Sequence, residues 1–186
     1  MAPRQAFRPQ RQRIFLGCEG ESERGYGALL ARLVEHHRKV HLDSVPLGGG
    51  DPLSIVEQAV IQHRRRVARG DYVYRAILLD ADTLGRAPQR DDRARSLAAG
   101  QGFDLIWQEP SHEAFLLLHL ADGGALRPQT SADASHALSR LWPEYRKPLP
   151  AVRLGQRIDR QAVLRARATH DGLRLLLERI DFGDAP

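Results

Sequence analysis

The chain has 186 residues, 42% of them hydrophobic, a formal net charge of +5 and a pI near 10.0, enough for one domain with a sizeable core plus an appendage. Its single cysteine, Cys18, excludes an intrachain disulfide and a cysteine-based zinc site. No stretch is long and apolar enough to span a bilayer, and the Arg-rich start lacks the apolar core of a secretory signal, so a cytoplasmic protein with no membrane partner is expected.

The basic balance favours an acidic partner such as nucleic acid. Only Lys39 and Lys147 of the 28 basic residues are lysines, however, so part of the arginine excess reads as codon bias. Residues 1–12, with Pro3 and Pro9, read as a flexible basic arm. Residues 13–18 form a short apolar strand that runs into the turn Glu19-Gly20-Glu21-Ser22-Glu23. Ser22 can cap the following helix, whose apolar face is Tyr26, Leu29, Leu30, Leu33 and Val34 and whose end falls near Arg38. Residues 40–45 are a second strand. Gly48, Gly49 and Gly50 lie in a turn that lacks both the G-K-[ST] ending of a phosphate-binding loop and the G-x-G-x-x-G spacing.

Asp51 caps a helix from Pro52 to about Arg69, and Arg64, Arg65, Arg66 and Arg69 complement its negative pole. Residues 73–79 are the third strand, 88–100 a helix, 103–107 the fourth strand and 113–120 a short, strongly apolar helix. Strand and helix thus alternate four times in the first 122 residues. That pattern predicts an α/β fold, Rossmann-like, with a mostly parallel four-stranded sheet flanked by helices. Residues 123–186 read as a helical extension, with helices over 131–142 and 154–180, the latter broken near His170. Ten basic against four acidic residues fall between Arg140 and Arg179, which makes this extension the basic part of the chain.

The chemistry is expected where the third strand ends. Ile77, Leu78 and Leu79 lead directly into Asp80, Ala81, Asp82 and Thr83, and open α/β sheets bind ligands outside the carboxyl ends of their strands. In extended backbone, residues i and i+2 share a side, so Asp80 and Asp82 are expected to converge and to need a cation between them. Glu19 ends the first strand, a common neighbour of the third, and Glu23 lies one helical turn further on. Such an oxygen-rich set suits Mg²⁺ or Mn²⁺. The plain alternative is a strand-end loop whose aspartate caps the next helix.

Three motifs, in order, resemble a known family. Glu19-Gly20-Glu21-Ser22-Glu23 after an apolar strand resembles the E-G-x-[ST]-E signature of the Toprim domain, and Asp80-Ala81-Asp82 resembles its D-x-D. Within that superfamily the segment from Glu109 to Leu120 is similar to the N-P-x-F-E-x-W-x-L-L-H-F segment of RloB proteins, which are linked to bacterial restriction systems. Tyr145-Arg146-Lys147 is similar to their Tyr-x-Lys. The chain departs from that pattern at Glu109, His112 and Phe115, and Ala81 and Thr83 replace charged residues around the D-x-D.

The resemblance implies a Toprim-like domain over 13–122 and a metal-dependent nuclease of bacterial anti-phage defence acting on DNA or RNA. Asp80 and Asp82 would hold the metal, with Glu19 as ligand or general acid/base and Glu23 as a further ligand. Glu113 would support these ligands or hold a second ion, while Arg146 and Lys147 would contact the phosphate backbone. Two other outcomes stay open. One is a non-catalytic nucleic-acid- or partner-binding subunit, alone or as a homo-oligomer, using 115–120 as an interface. The other is a phosphatase of the haloacid-dehalogenase type, with Asp80 as nucleophile and Asp82 as acid/base. That scheme needs a later lysine, for which only Lys147 is present, and a later acidic pair, for which Asp181 and Asp184 fall in the terminal tail. Cys18 and His119 are expected in the core.

Overall fold

The computed structural model describes residues 10–35 and 39–183. Most of the expected basic arm (1–9), the expected end of the first helix (36–38) and Asp184 lie outside the described residues. Strands β1 (Gln12–Cys18), β2 (Val40–Pro46), β3 (Tyr74–Asp80) and β4 (Asp104–Gln108) form one all-parallel sheet in the order β2-β1-β3-β4. Both faces of this sheet are covered, which is why its central strands read as unbroken apolar runs rather than as alternating ones.

One face carries Ile14, Leu16, Cys18, Ala76, Leu78 and Ile106. It packs against α1 (Glu21–Val34), α4 (His112–Leu117), α5 (Ser131–Leu141), α6 (Ala151–Leu154), α7 (Arg160–Arg167) and α8 (Asp171–Arg179). The other face carries Phe15, Ile77 and Leu79 and packs against α2 (Pro52–Val67) and α3 (Pro88–Gly100). Leu138, Val163, Leu173 and Leu176 are fully buried in the same cluster as β1 and β3. The C-terminal helices therefore complete one face of the sheet.

Several local expectations are revised. Gly20, not Ser22, is the N-cap of α1, and Ser22 is buried one position inside the helix. Residues 154–180 form parts of three short helices, because Asp159 and His170 each cap a new helix through a side-chain acceptor. Phe115, Leu116 and Leu117 are 0–1% exposed within the main core, so this stretch of 115–120 is packed inward and is not a free interface. Asp51 does cap α2, accepting from the N–H groups of Leu53 (3.1 Å) and Ser54 (3.4 Å). Among the described residues no helix is long and apolar enough to cross a membrane.

Much of the basic excess of the C-terminal region is used internally. Arg157 donates to the Leu141 carbonyl (2.8 Å), Arg165 to that of His119 (2.9 Å), Arg146 to that of Pro143 (2.8 Å), and Arg160 to that of Gly183. Arg174 pairs with Asp171 at 3.0 Å, and Arg179 lies over the Tyr74 ring. Arg146, Arg157 and Arg165 thereby satisfy carbonyls at or just past the ends of short helices.

Leu78 lies at the centre of the shared core and is wholly inaccessible. Leu78→Ala is expected to cost about 2–5 kcal/mol, read as a lower urea midpoint with the far-ultraviolet spectrum of the native state preserved.

Candidate functional site

After β1 the chain crosses to β2 on one side of it, and β3 then pairs with β1 on the other. The carboxyl ends of β1 and β3 therefore border the crevice that forms where connections diverge, the usual ligand position in such sheets. Glu19 and Asp80 stand at this point. The Glu19 N–H donates to the Leu78 carbonyl at 3.0 Å, continuing the strand ladder, and its carboxylate accepts the Asp80 N–H at 2.8 Å. One residue later the Gly20 N–H donates to the Glu23 carboxylate at 2.8 Å, closing the first turn of α1. Strand end, helix start and two acids of the cleft are thus fixed within five residues.

The cleft has a volume of about 430 Å³. Glu19, Glu23, Asp80, Gly48, Gly49 and Lys147 are among the residues lining it. The glycines, expected as a plain turn, form a wall of the cleft. Gly48, Gly49 and Gly50 have φ values of 87°, 71° and 120°, a conformation costly for residues with a Cβ. Their position directly after a parallel strand was the available signal, since loops at that end of the sheet border the crevice.

Burial dominates the electrostatics of this cleft. Burial and the neighbouring Glu19 charge, with smaller contributions from Glu23 and Glu113, push the Asp80 carboxyl up to about 8, against the opposing effect of Lys147. Glu19 is also raised by burial, although the Asp80 N–H favours its ionised form. Asp80 Oδ1 is buried and has no hydrogen-bond partner. This leaves one oxygen of the cleft open to a donor or a cation.

Glu113, in the first turn of α4, approaches the cleft from behind Lys147. Its Oε1 receives Lys147 Nζ at 2.7 Å and the Tyr145 hydroxyl at 3.2 Å, and its Oε2 receives the Ser111 hydroxyl at 3.2 Å. Burial would raise this acid, but the hydrogen bond and charge of Lys147 outweigh it and hold Glu113 below its ordinary value. The same pair raises Lys147 against its own partial burial. The segment bearing Lys147 closes tightly on α1 at Gly25, where a Cβ would fall 2.3 Å from the Leu149 carbonyl oxygen.

Asp82, Arg146 and Asp181 lie outside the lining of the cleft, as does Glu113 behind Lys147. β3 ends at Asp80, and the chain turns at once, with Leu84 N–H bonding the Ala81 carbonyl and Arg86 N–H that of Thr83. The extended geometry that would have set Asp82 beside Asp80 is therefore absent. Asp82 is exposed, outside the lining of the cleft, although its charge still reaches Glu19. Arg146 is held by backbone carbonyls of its own loop and is not part of the lining. Asp181 pairs with Lys39 at 2.7 Å and does not line the cleft.

Behind the acids lies a buried polar layer with no sequence signal of its own. His112 is 1% exposed, with Nδ1 3.0 Å from Gln108 Nε2 and 3.6 Å from Glu23 Oε1. Burial holds His112 below its ordinary value, opposed by Glu23 and Glu113. His119 is satisfied in the core, between the Tyr26 hydroxyl (2.8 Å) and the Phe115 carbonyl (3.0 Å), as expected. Cys18 is buried, and burial pushes its thiol far up, so it is no nucleophile.

Among the described residues no three His, Cys, Asp or Glu side chains stand as a ready ligand set. Glu19 is engaged with the Asp80 N–H, Glu23 with the Gly20 N–H and Glu113 with Lys147, while Asp82 stands apart. The donor chemistry nevertheless fits a hard divalent ion: all the acids offer oxygen, and Asp80 Oδ1 has nothing to accept. Compared with known proteins, the chain matches no family model, no curated protein and no solved structure.

The raised Asp80 carboxyl sets the sign of a pH effect. Between its unfolded value near 3.8 and its folded value near 8, the native state binds more protons than the unfolded chain, so stability falls as pH rises through this window. In the absence of divalent ions, Asp80→Asn is expected to raise Tm at pH 8 by about 3 °C or more and to change it little at pH 4. Differential scanning calorimetry at the two pH values checks this.

Proposed function

We propose that this chain is a divalent-metal-dependent phosphodiesterase acting on nucleic acid, of the Toprim type and similar to RloB proteins. The observation that carries the proposal is the meeting of Glu19 and Asp80 at the crevice between β1 and β3, with Asp80 Oδ1 buried and unpartnered. The order of the three motifs in the sequence supports the same reading. So does the mismatch of charge, since Lys147 is the one cation lining a cleft that also holds Glu19, Glu21, Glu23 and Asp80.

On this proposal Asp80 and Glu19 would hold the ion at the floor of the cleft, with Asp82 turning in from the rim and Glu23 fixed behind by its bond to Gly20. A bound Mg²⁺ or Mn²⁺ supplies polarisation of the scissile phosphate and a water activated for attack. Glu19, raised above its ordinary value by burial, is the acid of the cleft that could serve as general acid/base. The backbone of Gly48 and Gly49 leaves room for close approach of a phosphodiester, since a Cβ at either position would meet nothing within 4 Å. Lys147, half exposed, can turn from Glu113 towards an incoming phosphate. A bacterial defence role is the setting that the RloB resemblance suggests.

One observation favours the phosphatase alternative, because a lysine does lie in the cleft of Asp80. Its ammonium bonds Glu113, however, and the exposed Asp82 is poorly set to act as acid/base for a phosphorylated Asp80.

The test uses the full chain with plasmid DNA and with tRNA, in Mg²⁺, in Mn²⁺ and in chelator. Cleavage is expected only with metal, reduced at least ~100-fold in Asp80→Asn. Undiminished cleavage in Asp80→Asn and Asp82→Asn overturns the proposal. Salt-sensitive binding without cleavage under any metal replaces it with a non-catalytic subunit, and an aspartyl phosphate on Asp80 replaces it with the phosphatase.

A further inference from the structure

We infer that the cleft takes a single divalent ion, and that the Lys147 ammonium, bound to Glu113, fills the place a second ion would need. The inference rests on the metal site proposed above and concerns the number of ions it admits.

Glu113 is the acid that could serve a second ion, since it approaches the cleft from α4 while Glu19 and Asp80 come from the sheet. Most of its coordinating capacity is already taken. Oε1 accepts from Lys147 Nζ and the Tyr145 hydroxyl, and Oε2 from the Ser111 hydroxyl. A carboxylate offers about four lone-pair positions; three are taken here, and one of the donors carries a full charge. The side chain is 3% exposed, so freeing it for a metal would leave the ammonium to find another counter-charge.

Lys147 is also delivered to this position by a fixed loop. Tyr145 is 8% exposed and tilts against Trp142, while its hydroxyl holds Glu113. On the far side, the Leu149 carbonyl rests against Gly25 of α1, in contact too close for any side chain there. The lysine is thus anchored two residues away on either side. Its charge acts on Glu19 and Asp80 as well as on Glu113. Ions of a two-metal site stand about 3.5–4 Å apart and share bridging ligands. Here an ammonium holds one end of that arrangement, so its +1 charge replaces a +2 charge.

The ammonium also accounts for a departure from the expected ligand set. Glu113, expected to support the ligands or to hold a second ion, is a counter-ion to Lys147, and the ion is left to Glu19, Asp80 and the acids beside them.

The experiment titrates the full chain with Mn²⁺, following free Mn²⁺ by electron paramagnetic resonance and total binding by calorimetry. Wild type is expected to bind one ion, lost in Asp80→Asn. Lys147→Met, which keeps the apolar stem, is expected to bind two, and Lys147→Arg to stay at one. Glu113→Gln is expected to keep one ion with less than a threefold change in affinity. Two ions in wild type, one ion in Lys147→Met, or loss of the ion in Glu113→Gln would each overturn the inference while leaving the metal site standing. No ion in wild type at any concentration up to millimolar would overturn the metal site as well.

Discussion

The bond from the Asp80 N–H to the Glu19 carboxylate is the constraint on which the rest of the site depends. It extends the pairing of β1 and β3 one step past the last backbone bond by using a side chain where the sheet runs out of backbone. It also forces two acids into a partly buried corner. Burial and the Glu19 charge together push the Asp80 carboxyl up to about 8. A corner of this kind persists because the backbone on both sides is fixed by packing: Cys18, Leu78 and Leu79 are wholly buried directly beneath it.

Relief of that repulsion comes from far along the chain. Lys147 arrives on a loop between α5 and α6, ahead of helices that seal the opposite end of the same core face. Folding of the C-terminal region and electrostatic balance at the cleft are therefore one event. The polar layer formed by Gln108, His112 and Glu23 adds a further link, because it ties the end of β4 to the start of α1 behind the acids. Arg146, Arg157, Arg160 and Arg165 of the C-terminal region are tied to backbone carbonyls, and this makes the overall basic charge a poor guide to where a polyanion would lie.

The fold was legible because its signals are local. Buried parallel strands announce themselves as apolar runs, and Asp51 and Pro52 mark a helix start by chemistry that acts within three residues. Glu19 and Asp80 were legible for a related reason: each is the polar residue that ends an apolar run, and the sheet order then brings them together. Asp82 was not, because the ladder to β4 ends with the Ala81 N–H on the Gln108 carbonyl and the chain then turns, with the Leu84 N–H on the Ala81 carbonyl, a change that an apolar run followed by two aspartates does not announce. The pairing of Lys147 with Glu113 spans 34 positions and a change of element, and nothing in either neighbourhood encodes it. Gly48 and Gly49 carried a visible signal, but their meaning depended on which strand they followed.

The contact between Gly25 and the Leu149 carbonyl also orders events in time. A chain emerging from its amino terminus completes β1, β3 and their acids long before residues 143–150 exist. Until those residues are made, the last helices that complete one face of the sheet are missing too, so core and cleft are finished together. The last third of the protein is what makes the first two thirds electrically complete.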